Sequence, residues 1–362
     1  MVANKFSILY NRIIKQHNEI LIKGGIQLNV VNILLIILMF SLLIFVHELG
    51  HFVLAKINKV DVEQFSFGFG SRLCGIKHNG TDYNIKILPF GGSVQMSEDI
   101  NNENSLPRKK PIQRLLIVAA GPLMSYLFGI FLFSIISFNF GFSKTSINSV
   151  QENMPAYSAG LKSGDKIVSV NNKKVFTTDD IIMNISANKS SQINIGYVRN
   201  DKKYSTIVTP VLKDKQYLIG IAFNTNRNPS VLTSIKHSFN KSISSIVETY
   251  HTLGRLLTGK GNVKTDIGGP VTIVRVSNEV VKSGIWNLIY FTGFITIQLA
   301  IMNLLPFPAL DGGWILMILF ELISRKKLPE KAVELINTIG FMILMAFMVF
   351  VMIKDILFPI KL

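Results

Sequence analysis

A single cysteine, Cys74, is all that the 362-residue sequence holds, so an intrachain disulfide is excluded. Its place in a basic connection between apolar runs agrees with a reducing compartment. Acidic residues are scarce too: 22 Asp and Glu stand against 38 Lys and Arg, a formal net charge of +16. In a soluble protein that excess would suggest nucleic acid. No zinc-finger, KH or RNP pattern occurs, however, and the positive charge sits largely beside long stretches from which charge is nearly absent.

Those stretches decide the class of protein. Leu28 to Ala55 is apolar apart from a few polar residues and the cluster His47-Glu48-Leu49-Gly50-His51. Leu115 to Phe140 and Leu335 to Ile353 carry no charge, and Trp286 to Ile323 is apolar except at Glu321 and around a Pro/Gly/Asp break. A membrane-spanning helix needs about 20 apolar residues. One such run could be a buried core helix, but four in one chain predict a polytopic α-helical membrane protein. The spans fall at residues 28–56, 112–141, 286–323 and 335–357, the third long enough for two half-segments. The first run is too long for a cleaved signal peptide and carries His and Glu where a small-residue cleavage site would lie.

The basic residues orient these spans. Lys56, Lys59, Arg108, Lys109, Lys110 and Arg114 bracket the first connection, and Arg325, Lys326, Lys327 and Lys331 fill the short third one, residues 324–334. Positive charge in short loops marks the cytoplasmic side, which puts residues 143–223 on the outer side. The charge then reflects orientation against anionic lipid, and nucleic acid is not an expected partner. The extension at residues 1–27 carries Lys5, Arg12, Lys15 and Lys23. It reads either as an interfacial helix or as a segment ahead of a start near Leu28.

Between the first two spans, residues 57–111 alternate glycine, aromatic and β-branched residues. Val62 to Phe69 and Tyr83 to Met96 read as strands, a β-hairpin at the membrane. Residues 143–223 have the pattern of a soluble mixed α/β domain, with a strand at Lys166 to Val170, a helix at Asp179 to Ser186 and alternating strands at Gln192 to Val198 and Tyr204 to Thr209. The order Met154-Pro155-Ala156, Ala159-Gly160-Leu161, Gly164-Asp165 and Val170-Asn171-Asn172 resembles a PDZ domain of bacterial proteases. Such domains bind peptides by adding them to a sheet edge; a spacer that only blocks access is the alternative. Residues 224–285 form a polar linker with amphipathic patches around Ile235 to Leu257.

His47 and His51 are four residues apart, on one face of a helix, where both imidazoles can meet one metal ion, and Glu48 can take a proton from metal-activated water. Zinc lowers the pKa of such water towards about 7. Three polar side chains inside an apolar span need partners, and a metal supplies them. The third ligand is not at the soluble-protease positions: residues 54 and 57 are Leu54 and Ile57, and Glu63 lies in a strand-like stretch. Asp311 is the better candidate, within Asn303-Leu304-Leu305-Pro306-Phe307-Pro308-Ala309-Leu310-Asp311-Gly312-Gly313. Two prolines and two glycines break the span there, as is tolerated only where backbone is buried or lines a wet cavity.

His-Glu-x-x-His in the first span, a PDZ-like domain and Asn-x-x-Pro-x-Pro-x-Leu-Asp-Gly in a later span together resemble the site-2 protease family of intramembrane zinc metalloproteases, in its bacterial regulator-of-sigma-E protease branch. The resemblance covers roughly residues 28–357. It implies Zn2+ on His47, His51 and Asp311, Glu48 as catalytic base, and Asn303 on the substrate backbone or oxyanion. It further implies a hairpin, with Gly68, Gly70, Gly91 and Gly92, that clamps substrate as an extended strand. The implied partners are single-span membrane proteins, such as anti-sigma factors or remnant signal peptides, cut during regulated intramembrane proteolysis in the bacterial inner membrane. Two segments depart from the family pattern. Ser125 ends Ala120-Gly121-Pro122-Leu123-Met124-Ser125 where Asn is usual, and Gly91-Gly92-Ser93-Val94-Gln95-Met96 has Ser93 and Gln95 where Tyr and Lys are usual. Neither departure is expected to touch the zinc set. A non-enzymatic membrane adaptor built on the PDZ-like domain, and a tethered protease with its catalytic helix in water, are the rival readings. The intact ligand set and the apolar flanks of the His-Glu-x-x-His helix speak against them.

Overall fold

The computed structural model describes residues 29–188, 191–213 and 216–359. The expected interfacial helix within residues 1–27 lies outside them. Among the described residues, four helices are long and apolar enough to cross a membrane: α1 (Val30–Ile57), α2 (Pro111–Phe140), α8 (Ile285–Asn303) and α10 (Glu330–Leu357). Most side chains on α10 are exposed, Phe341, Met342, Phe347 and Phe350 among them, as lipid-facing side chains are in a membrane helix. Between α8 and α10 lies α9 (Asp311–Ser324). At 1.5 Å per residue its 14 residues reach about 21 Å, too short to span alone. Together with α8 it forms the broken third region that the two prolines and two glycines predict.

The chain leaves α1 into one long antiparallel hairpin, β1 (Val62–His78) paired with β2 (Thr81–Met96). Both strands run beyond the short stretches expected, because Asn79-Gly80, both with positive φ, supply the two-residue turn that lets pairing continue outward. An aromatic cluster seats the hairpin on α1. Phe52 stacks on Phe65 at 4.6 Å, and Phe45 meets Phe65 and Phe67 at 5.6 and 5.7 Å. Ala55, Val60, Val62 and Ile117 close the base of this layer.

After α2 the chain forms a mixed domain. Its elements are β3 (Phe142–Val150), α3 (Pro155–Ser158), β4 (Lys166–Val170), β5 (Lys173–Lys174), α4 (Thr178–Ala187), β6 (Ile193–Arg199), β7 (Lys202–Val208), β8 (Val211–Lys213), β9 (Gln216–Leu218) and β10 (Ile221–Asn226). The main sheet runs β10-β3-β4-β6-β7, with β5 on β4 and β10 at an edge. Its core is aliphatic: Ile147, Ile167, Val170, Ile193, Ile195 and Val208 of the strands are buried together with Ile181 of α4.

An amphipathic helix, α5 (Val231–Leu257), follows. Its serine face, Ser234, Ser238 and Ser242, is buried, and Ser242 and Ser238 bond Tyr126 and Ser137 of α2. On its other side Lys241 pairs with Asp179 and Ser244 donates to Asp180, both in the first turn of α4. Two short helices, α6 (Val263–Asp266) and α7 (Pro270–Lys282), lead into α8. Asp355 of α10 accepts from the backbone N–H of Thr272 at 2.8 Å, capping α7, and Asn278 of α7 bonds Asn32 of α1 at 3.1 Å.

Candidate metal centre

On α1, His47 and His51 turn toward α2, whereas Phe45, Glu48 and Phe52 share the face turned to the hairpin; at about 100° per residue the two faces are roughly a third of a turn apart. The helices α1 and α2 meet at their smallest residues. A Cβ on Gly50 would overlap the backbone carbonyl of Ala120, and a Cβ on Gly121 would overlap the His51 imidazole. Close approach through small residues is the usual packing of membrane helices. Here it leaves room for the two imidazoles.

Asp311 arrives from the other side of the site. The loop between α8 and α9 turns through Ala309, whose φ of +70° is a left-handed conformation, and the Ala309 N–H donates to Asn337 of α10 at 3.2 Å. Gly312 and Gly313 lie so close beneath this loop that a Cβ on either would strike the carbonyls of Leu305 and Phe307. The Leu-Asp-Gly-Gly sequence thus folds the break tightly enough to place a carboxylate at the first position of α9. Arg114 of α2 pairs with Glu321 of α9 at 2.5 Å, fixing the far end of that helix.

The three groups converge. His47 Nε2 is 3.1 Å from Asp311 Oδ2, His51 Nε2 is 3.6 Å from Oδ1, and the two Nε2 atoms are 3.2 Å apart. Both histidines are buried, at 7% and 8% exposure. Two imidazole nitrogens at this distance, facing a carboxylate among apolar helices, could hold a metal ion between them. In a tetrahedral zinc site with Zn–N near 2.05 Å, two nitrogens stand about 3.3 Å apart. The donor set fits zinc.

The ring nitrogens on the far side are engaged as well. His51 Nδ1 is 2.9 Å from the Ile117 carbonyl and His47 Nδ1 is 3.2 Å from Ser125 Oγ. Pro122 lacks the N–H that would bond the Val118 carbonyl, so the turn of α2 beside the site is already loosened. The expectation that the Ser125 departure stays clear of the zinc set is thereby corrected, because residue 125 lies one turn along α2 from Gly121 and on the same face. The segment of the second departure meets the site through the backbone of Val94, whose N–H donates to Glu48 Oε2 at 3.2 Å, while the departing Gln95 bonds Glu63, away from the site.

The remaining expected residues separate into two groups. Asn303, the last residue of α8, holds Nδ2 3.4 Å from His47 Nε2. Gly92 packs against Glu48 and Phe45, and Gly91 against Phe69 and Ile44. Gly68 lies against the Leu88 backbone further along the hairpin, and Gly70 is exposed with only the Leu88 side chain near it. Ser125, the Val94 N–H and Asn337 are contributions that sequence reasoning missed. A serine and an asparagine at apolar-span positions, the serine also a departure from the family pattern, were the available signals.

A triad that could hold a metal ion, with a glutamate beside it and carried on apolar helices, points to a membrane zinc metalloprotease. The profile of Peptidase family M50 matches residues 35–347, and the chain belongs to that family. A protein of Clostridium perfringens whose zinc-metalloprotease name is provisional is 41% identical over 332 residues, 91% of this chain and 99% of that one. The zinc metalloprotease RasP of Geobacillus kaustophilus is 29% identical over 419 aligned positions, 90% of this chain and 97% of its own. The PDZ domain of an SdrC-like protein from Listeria monocytogenes aligns with 23% of this chain and 88% of its own, at 22% identity and a TM-score of 0.21. That last likeness carries no argument by itself.

Proposed function

We propose that this chain is an intramembrane endopeptidase that hydrolyses peptide bonds within or next to the spanning segment of single-span membrane proteins. The observation that carries the reading is the convergence of His47, His51 and Asp311, from opposite ends of the sequence, inside apolar helices. His47 and His51 hold the metal through Nε2 and Asp311 through its carboxylate. Zinc, when bound, supplies Lewis acidity that makes water nucleophilic near neutral pH. Glu48, oriented by the Val94 N–H, takes a proton from the attacking water and returns it to the amine nitrogen as the C–N bond breaks. Asn303 donates its amide N–H to the oxyanion that forms on the scissile carbonyl.

A helical peptide bond has its carbonyl and N–H tied into the helix, so the substrate has to unwind before attack. The hairpin segment with Gly91 and Gly92, lying against Glu48, suits a clamp that holds the unwound stretch as an added strand; Gly68 and Gly70 extend that surface outward. The domain of residues 143–223 is read as a PDZ domain that takes a peptide end on its edge strand β10. The basic connections support a reading with this domain on the outer side, and the family resemblance suggests a bacterial inner membrane. Substrates of this kind include anti-sigma-factor-like regulators and remnant signal peptides in regulated intramembrane proteolysis.

The test is co-expression with a single-span reporter that carries a helix-breaking residue in its span. The wild-type chain cleaves it, and Glu48→Gln retains zinc yet leaves it intact, with a loss of at least about 100-fold. Equal cleavage by both would sink the mechanism. Asp311→Ala is expected to lose zinc in metal analysis; full zinc content would remove Asp311 from the ligand set.

A further inference from the structure

Ser125 is completely buried in α2. Among the described residues the only hydrogen-bond partner of its hydroxyl is His47 Nδ1, at 3.2 Å. The two histidines differ in what stands behind them. His51 Nδ1 faces a backbone carbonyl, that of Ile117. A carbonyl can only accept, so His51 must carry its proton on Nδ1, which leaves the Nε2 lone pair free for a metal. His47 faces a hydroxyl, which can accept or donate. If the hydroxyl donated, the proton of neutral His47 would move to Nε2 and close that atom to the metal. A zinc ion held by His47 Nε2 requires the other arrangement, with the proton on Nδ1. A serine hydroxyl turns freely about its Cβ–Oγ bond, so it can swing its own proton away from the ring and present a lone pair to the Nδ1–H.

We propose that Ser125 is a positioning residue of the zinc site, whose hydroxyl oxygen accepts the Nδ1–H of His47 and holds the Nε2 lone pair toward Asp311 and His51. The proposal rests on the zinc assignment above and adds to it a side chain that touches neither metal nor substrate. Partners of this kind fix the tautomer and ring orientation of a ligating histidine, and losing one typically lowers metal affinity by about 10- to 100-fold. The site then has one histidine fixed by main chain, which substitution cannot remove, and one fixed by a replaceable side chain. An Asn at this position would offer its carboxamide oxygen to the same ring nitrogen.

The experiment uses the full chain in detergent and measures zinc affinity by competition with a chromophoric chelator. It compares wild type with Ser125→Ala, Ser125→Val, Ser125→Thr and Ser125→Asn. Thr and Val have nearly the same shape, so that pair separates the hydroxyl from packing. Ser125→Ala and Ser125→Val are expected to bind zinc about 10- to 100-fold more weakly. Ser125→Thr and Ser125→Asn should stay within about threefold of wild type on the same scale. Thermal melting of the metal-free Thr and Val variants should coincide. Equal zinc affinity for Ser125→Thr and Ser125→Val would overturn the proposal, as would a loss in Ser125→Thr as large as in Ser125→Ala. His47→Ala is the reference: if it too keeps its zinc, the ligand assignment itself fails. Zinc lost in His47→Ala but unchanged across the Ser125 series removes Ser125 alone.

Discussion

At the scale of residues, the centre depends on missing side chains as much as on its ligands. Gly121 sits where any Cβ would overlap the His51 imidazole, so Gly121→Ala has to push either the ring or the helix away. Metal analysis of that variant should show zinc binding weakened by at least about tenfold, as for other disturbances of ligand orientation. Gly254→Ala is the matched control, since a Cβ at Gly254 on α5 meets nothing within 4 Å and alanine favours the helix by up to about 1 kcal/mol; its zinc content should match wild type. The need for glycine at 121 was invisible in the sequence, because it arises only when α1 is laid against α2. His47, Glu48 and His51, by contrast, were legible at once. Their spacing is local, and one turn of helix is enough to put both imidazoles together.

At the scale of elements, the mixed domain is tied by a buried carboxylate. Asp165, in the turn ahead of β4, accepts from Arg199 Nε and Nη2 of β6 at 2.6 and 2.7 Å and from the Lys162 N–H at 2.8 Å. Burial alone would raise its pKa, but the Arg199 hydrogen bonds and charge, with the Lys162 N–H, outweigh it and hold the carboxyl below its ordinary value. A carboxyl depressed in the folded state contributes stability that is complete above its unfolded pKa of about 3.9 and is lost as pH falls through the lower folded value. Tyrosine fluorescence during urea unfolding of the full chain should show the domain weakening below about pH 4. Arg199→Met should cost about 3 kcal/mol or more at pH 7, because it leaves a buried charge without its partner. The gap to wild type should narrow on acidification, since the unpaired carboxyl then protonates easily. A gap that stays constant from pH 7 to 4 would show that Arg199 acts through packing.

At the scale of the whole molecule, the orientation proposed from the basic connections can be checked with a natural reporter. Cys74 is the sole cysteine and is exposed on the hairpin. With the hairpin on the cytoplasmic side, a membrane-impermeant maleimide added to intact cells should leave Cys74 unlabelled until the membrane is opened. A cysteine placed at exposed Lys202, in a Cys74→Ser background, should label in intact cells. The reverse pattern would invert the topology. The same architecture links the domain to the centre: α5 is bonded to α4 on one side and to α2 on the other, and α2 carries Gly121 and Ser125.

The sequence by itself determined the four apolar spans, the basic connections, the strand pattern of the domain and the His-Glu-x-x-His turn. Each is a pattern written in neighbouring residues, where hydropathy, helical period and turn chemistry act over a few positions. It also pointed to Asp311, because two prolines and two glycines around a lone carboxylate inside an apolar run make sense only as a deliberate break. Only the tertiary structure decided that Asp311 lies 3.1 Å from His47, that a hairpin backbone N–H holds Glu48, and that Ser125 stands behind His47. Those contacts join residues between 46 and 264 positions apart. They exist because small residues let α1, α2 and the broken third region pack at close range, and such proximity has no signature in any one stretch of chain.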